Sequence, residues 1–266
     1  MSLDLANMKT VFSNILFFRF VFVLLLATSN SIAFSAEPKL TMLVGSSNAP
    51  KMFLNEAEKP VGYFTELAEL IGRRAGYHVV IVAVPWARAV QMAERGDGVI
   101  CSLSKTAERE LLFSYSDPVL IDRVVIVTLK KRNIVASSLA DLKGMTIGLN
   151  RGSQYGAKFV EELPLVHLDE DNSGVSRLRK LFMGRIDAAI IPGGITAVTF
   201  NAKMAGIDMN QITIQKTPLA LDKNYFGISK SYPDATEILE HLNAAIAATL
   251  ADGSIDSVMK NWGGMP

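Results

Sequence analysis

Residues 97–120 read DGVICSLSKTAERELLFSYSDPVL, from Asp97 to Leu120. The first part predicts a short buried strand, residues 99–101, that runs into small hydroxyl residues. Ser102, Ser104 and Thr106 stand at alternate positions, so an extended chain aims all three the same way. Thr106 is placed to cap the helix-like turn that follows, whose free N–H groups favour an anion. Arg109 lies three residues into that turn and faces the same point. Its guanidinium can hold a carboxylate through two parallel hydrogen bonds. On spacing alone, an anion site and a solvated arginine beside a serine-rich loop both stand open.

Outward from this segment, strands alternate with helices. Upstream, residues 40–44 read as a strand. Residues 62–75 read as a helix with Phe64, Leu67, Ala68 and Ile71 on one face. Residues 79–84 follow as a strand and 87–95 as a helix. Downstream, strands are expected over 146–149, 166–168, 188–191, 212–214 and 225–228. Helices are expected from about Gln154, over 175–183, and from Pro233 along a stripe of Ala235, Ile238, Leu239, Leu242 and Ile246. Gly253 ends that stripe, and a last short helix carries Ile255, Val258, Met259 and Trp262. Strands separated by helices of this length favour parallel α/β sheets, and the elements suffice for two small sheets and hence two lobes. Residues 124–129 and 219–226 are the candidate crossovers between them.

The chain has 266 residues, 49% hydrophobic and 20% charged, which is the balance of a globular protein. Its N-terminus differs from the rest. Lys9 and Arg19 precede the apolar run 20–27, and a small-residue tail, TSNSIAFSA, follows. That order is a secretory signal, with cleavage after Ala33 or Ala36 and Met8 as the more natural start. The run is too short for a spanning helix, which needs about 20 apolar residues. Removing residues 1–36 takes away Lys9, Arg19 and Asp4 and leaves no net formal charge. Nothing then implies a nucleic-acid or anionic-membrane partner. Cys101 is the single cysteine, so an internal disulfide is excluded, as is a lipid anchor on a cysteine at the cut. The expected product is free in the periplasm and stabilised by its core.

Several chemistries lack their residues. His78, His167 and His241 stand in unrelated contexts without metal-ligand spacing. No nucleophile elbow, phosphate loop or dinucleotide fingerprint occurs. The glycine-rich pieces GSQYG (152–156) and PGG (192–194) have no catalytic spacing. No catalytic residue, metal or cofactor is therefore expected.

The segment 97–120 resembles the extracellular solute-binding proteins of family 3, the periplasmic components of polar amino-acid ABC transporters. Asp97, Ser102, Ser104, Thr106 and Arg109 match the family pattern, and Tyr115, Ser116, Asp117 and Pro118 match its tail. VGYFTELAELIGRRAGY (61–77), LADLKGMTIGLNRGS (139–153), GRIDAAI (184–190), YFGIS (225–229) and the ending LADGSIDSVMKNWGG extend the likeness over nearly the whole mature chain. The resemblance implies an α/β, type II, two-lobed periplasmic-binding-protein fold with two crossovers. Residues 37–126 plus 223–266 would form one lobe and 127–222 the other. By position, Arg109 would bind a ligand carboxylate, Thr106 and the Ser104 backbone would assist, and the Ser102 carbonyl would accept from an ammonium. Ser153 and Gln154 would begin a helix aimed at the carboxylate. Trp86 holds the place of the family's aromatic platform or is simply core. Tyr225, beside a crossover, either lines the cleft or packs.

Three positions depart from the pattern. Pro192 stands where the family commonly has an aspartate for the ligand ammonium. Met52, with Phe53 beside it, replaces an expected aromatic, and the loop before Asp97 is about two residues shorter. A buried ammonium without a carboxylate is costly. Either another acid, such as one among residues 169–171, supplies the charge, or the ligand is not an ordinary α-amino acid. The expected function is capture of a small carboxylate-bearing solute by a monomer that delivers it to an ABC-type permease. A dehydratase-like enzyme on the same fold and a ligand-sensing accessory protein are the alternatives.

Overall fold

The structure is a computed structural model and describes residues 37–263. The expected signal segment, residues 1–36, lies outside the described residues. The chain begins with β1 (Lys39–Gly45), the short strands β2 (Ser47–Asn48), β3 (Met52–Leu54) and β4 (Pro60–Val61), helix α1 (Tyr63–Arg74) and β5 (His78–Val84). Next come α2 (Trp86–Glu94), β6 (Val99–Leu103), α3 (Ala107–Leu112), β7 (Phe113–Tyr115) and the long β8 (Leu120–Leu129). The middle of the chain forms β9 (Thr146–Asn150), α4 (Ala157–Glu162), β10 (His167–Asp171), α5 (Gly174–Phe182), β11 (Ala188–Ile191), α6 (Gly194–Ala205) and β12 (Ile212–Ile214). Strand β13 (Ala220–Ser229), α7 (Ala235–Ala251) and α8 (Ser254–Asn261) complete it.

The α1 stripe is as the periodicity predicts: Phe64, Leu67, Ala68 and Ile71 are all fully buried. Burying Phe64, Leu67 and Ile71 contributes about 1.5–3 kcal/mol each. Gly62 precedes the helix at φ 123°, where a Cβ would meet the Lys51 carbonyl oxygen at 2.3 Å. Glycine is therefore required to seat α1 against the β2–β3 loop.

Strand order is β5-β1-β6-β13-β8-β11-β9-β10. Within each half the pairs β1/β5, β1/β6, β9/β10 and β9/β11 are parallel, as expected from helical crossovers. The two halves are not separate sheets. Residues 220–224 of β13 pair antiparallel with residues 120–124 of β8, and both strands then continue into opposite halves. The later part of β13 pairs with β6 and β7, whereas the later part of β8 pairs with β11 and β12. Two strands thus carry the chain between the lobes of a type II fold.

The apolar run of β8 explains how one strand supports the second lobe on both faces. Val124 and Ile126 enter one buried cluster with Leu149 and Ile190, while Val125, Val127 and Leu129 enter another with Leu178 and Val198. A strand covered on both sides needs no polar alternation. The first lobe has its own core around Met42, Leu43, Phe64, Ile100 and Phe226.

Candidate functional site

Strand β6 and helix α3 build one wall of a cleft between the lobes. The pairing of β6 with β13 shifts between Tyr225 and Phe226, opposite Leu103 and Cys101, which leaves Ser102 as an extra residue. Ser102 adopts φ 67°, uncommon for a residue with a Cβ. This bulge breaks the regular alternation expected from Ser102 to Thr106. Ser102 and Ser104 line the cleft. Thr106 instead caps α3, its Oγ1 accepting from the Arg109 N–H at 3.3 Å, and it lies off the cleft wall.

Arg109 is 6% exposed and points into the cleft. Its Nη1 donates to the Ser104 carbonyl at 3.3 Å, and its Nη2 crosses to the second lobe, donating to the Gly152 carbonyl at 2.9 Å. Neither acceptor is charged. Burial pulls the guanidinium below arginine's ordinary value, with Tyr115 and Asp222 pulling it back.

The remaining walls come from both lobes. Pro85 opens α2 and presents Trp86 at its first position, 9% exposed and lining the cleft. Asn48 ends β2, Met52 begins β3, and Lys51 comes from the loop between them. Asn150, Ser153, Gln154 and Tyr155 come from the end of β9 and the turn after it, and Pro192 follows β11. The cavity enclosed between them is small, about 20 Å³, so a solute must part these walls to enter. Three buried polar atoms of this wall, Trp86 Nε1, Gln154 Oε1 and Tyr155 Oη, have no hydrogen-bond partner among the described residues. Buried polar groups are normally paired, so such a cluster marks a ligand surface.

A helix was expected from about Gln154, but α4 begins at Ala157, after Gly156 with φ 85°. Ser153 and Gln154 therefore belong to the irregular connection between β9 and α4 and present no helix terminus to a ligand. Phe53 lies off the cleft wall and packs on Phe200 at 5.7 Å and Trp262 at 6.1 Å. Tyr225 also lies off it, against Tyr115 at 5.6 Å with Lys105 Nζ 4.5 Å from its ring centre. The acids of residues 169–171 are engaged elsewhere. Asp169 pairs with Lys180, and Asp171 pairs with Arg177 at 2.7 Å. Glu170 faces Arg151 at 3.9 Å.

The acid that does line the cleft is Asp222, on crossover β13. It belongs to a buried network that sequence reading missed. Lys51 Nζ donates to Asp122 on β8 and to Asn224 on β13, while Tyr63 Oη reaches Asp122 at 3.3 Å. Burial, with Asp122 beside it, raises the Tyr63 pKa, so the phenol keeps its proton and donates. Asn224 Nδ2 donates to Asp222 Oδ2 at 3.0 Å, and Ser104 Oγ donates to the same oxygen at 2.7 Å. The first-lobe loop and both crossovers are thereby tied beneath the cleft. Burial pushes the Asp222 carboxyl up to about 6, against the opposing pull of Ser104, Lys51 and Arg109.

A polar cleft between two α/β lobes joined by two strands defines a two-lobed solute-binding protein. The chain belongs to the bacterial extracellular solute-binding proteins, family 3, whose family model matches residues 40–265. The arginine-binding extracellular protein ArtP of Bacillus subtilis (strain 168) is 25% identical over 241 residues, 88% of this chain and 90% of that protein. The L-cystine-binding protein TcyJ of Escherichia coli (strain K12) is 22% identical over 231 residues, 84% of this chain and 83% of that one. An ancestral arginine-binding protein bound to arginine has the same fold, with a TM-score of 0.71 at 23% identity, covering 85% of this chain and 98% of that one. The named relatives are binding proteins rather than enzymes. Among the described residues, no helix is long and apolar enough to cross a membrane.

Proposed function

We propose that the chain is exported, cleaved after Ala33 or Ala36, and works as a periplasmic monomer that captures a small carboxylate-bearing solute for an ABC-type permease. The observation that carries this reading is the state of Arg109. A guanidinium buried in an interlobe cleft, hydrogen-bonded among the described residues to two carbonyl oxygens and to no carboxylate, lacks the anionic partner that would offset its desolvation. A ligand carboxylate supplies that partner through a two-pronged bond. The relatives' names, which speak of arginine and L-cystine, agree with a small carboxylate-bearing solute. Lobe closure stores the binding energy, because the ligand favours the closed arrangement that its own contacts complete.

One observation favours a second reading. Asp222 is a cleft acid with a pKa near 6, which is what a dehydratase acting on a carboxylate would need. Both readings are tested together by thermal denaturation of the mature protein against a panel of amino acids and organic acids, with each mixture assayed afterwards for product. Capture alone predicts a shift of several degrees for a narrow set of carboxylates, all recovered unchanged. No shift across the panel would end the capture reading, and product formation would favour the enzyme.

A further inference from the structure

The lobes meet at the cleft and again outside it. At the cleft they are joined by Arg109, a side chain of the wall that an entering solute would itself engage. Outside it, the β2–β3 hairpin of the first lobe reaches the second lobe at two elements. Ser47 Oγ donates to the Asn172 carbonyl between β10 and α5. Asn201 Nδ2 on α6 donates to the Ala49 carbonyl at 2.8 Å and to the Ala197 carbonyl of its own helix at 2.7 Å. Phe200, the preceding residue of α6, meets Phe53 at 5.7 Å, and Trp262 at the end of α8 backs Phe53 at 6.1 Å. None of these side chains lines the cleft, although Asn48, Lys51 and Met52 of the same hairpin do. The hairpin belongs to a three-stranded sheet separate from the main one.

These contacts need no solute. Asn201 is 2% exposed, and both hydrogens of its amide find carbonyls only when the lobes are together. The cavity that remains, about 20 Å³, has room for about one water molecule. We propose that the β2–β3 hairpin and α6 form a latch that holds the solute-free cleft shut, with Asn201 and Phe200 as the positioning residues that set how often it opens. Its consequence for capture rests on the solute-binding reading above; the latch itself does not. A solute enters only through the open fraction, so the latch limits entry and scales the apparent affinity by that fraction. One hydrogen bond or one aromatic contact shifts such a balance by up to about tenfold.

The test needs no solute either. The mature protein is unfolded in guanidinium chloride, dialysed to remove anything bound, refolded and measured by small-angle scattering. Trp262→Phe keeps a ring against Phe53 and leaves Trp86, on the cleft wall, as the one tryptophan, so acrylamide quenching in that background reports access to the cleft. The wild type is expected to scatter as the closed structure does, with Trp86 shielded. Phe200→Ala and Asn201→Ala should each lower the closed-to-open ratio by up to about tenfold. Together they should give a larger radius of gyration and stronger quenching, with an unchanged far-ultraviolet circular dichroism spectrum. Lys203→Ala, an exposed change on the same helix, should leave both readings at the wild-type level. If Asn201→Ala does not fold, Phe200→Ala combined with Ser47→Ala loosens the latch from both lobes and takes its place. A wild type already as expanded as the double variant overturns the latch. So does a double variant as compact and shielded as wild type, or equal expansion in Lys203→Ala. Each of these results leaves carboxylate capture by Arg109 to its own test.

Discussion

The guanidinium of Arg109 and the carbonyl oxygen of Gly152 are 2.9 Å apart, and this hydrogen bond joins the two walls of the cleft. Asn201 Nδ2 makes a second bridge to the Ala49 carbonyl at 2.8 Å, and Phe53 packs on Phe200 across the same gap. The lobes are therefore closed on each other. The Arg109 bridge ends on neutral acceptors, so a carboxylate that replaces one of them turns an ordinary hydrogen bond into a charge-assisted one.

Arg109→Ala should weaken carboxylate binding by about 2–5 kcal/mol, the usual loss when a buried charge pair is truncated on one side. Stability of the ligand-free fold should move little, because among the described residues the side chain forms hydrogen bonds but no ion pair. Arg109→Lys should fall between, since it keeps the charge and loses the fork. Titration calorimetry beside thermal denaturation separates the two effects, and unchanged affinity in the alanine variant would remove Arg109 from the site.

Gly152 governs closure by a steric route. It adopts φ +72°, and a Cβ there would come within 3.3 Å of the Ala87 Cβ at the start of α2. Gly152→Ala should add about 1 kcal/mol of backbone strain and hold the lobes apart. The expected outcome is weaker ligand binding and, by small-angle scattering, a ligand-saturated protein with a larger radius of gyration than wild type.

Asp222 should make ligand-free stability fall as pH rises from about 4 to about 6. Its carboxyl is raised to about 6 in the fold, chiefly by burial. Arg109 from α3 and Lys51 from the β2–β3 loop oppose that rise, and Asp122 from β8 adds to it. A raised acid binds its proton more tightly folded than unfolded. The penalty is thus fully present above the folded value and absent below the unfolded one. The size is on the order of 2–3 kcal/mol. Asp222→Asn should flatten this limb of the pH–stability curve and raise the melting temperature at pH 7. A variant less stable than wild type at that pH would count against the burial penalty.

Lys51 and Asp122 stand or fall together. Lys51→Met leaves the fully buried Asp122 without its cation, and breaking a buried pair on one side costs about 3–5 kcal/mol. Adding Asp122→Asn should restore much of the loss, which urea unfolding of the single and double variants measures directly. Equal stability of Lys51→Met and wild type would show that the pair contributes nothing.

The elements with strong periodicity were legible in the sequence. The α1 stripe and the elements β1, α1, β5, α2 and β6 follow from spacing alone, whereas the short strands β2, β3 and β4 were not read. Helix α6 was not read. Its Ala197, Val198 and Ala202 are buried, but Ile195 and Met204 are exposed, so the apolar residues do not gather on one side. The Ser102 bulge escaped because serine gives no signal for positive φ, and the helix after β9 was placed too early because Gly156, not the turn before it, opens α4. Asp222 was hidden by an inverted pattern. On β13 the apolar Leu221 faces solvent at 63% exposure, whereas Asp222 and Asn224 face inward. Counting parity from the apolar residues of β13 would have revealed two polar side chains on a buried face. Arg109 was legible as a candidate because its spacing from Thr106 survives in the capped helix.

The most direct test is a crystal structure of the mature protein with the solute that mass spectrometry finds released from gently purified material. The guanidinium of Arg109 should make two hydrogen bonds of about 2.8 Å to one carboxylate of that solute, inside the cleft closed by Gly152. A solute seated elsewhere, or one whose acidic group points away from Arg109 while the protein remains closed, would contradict the account.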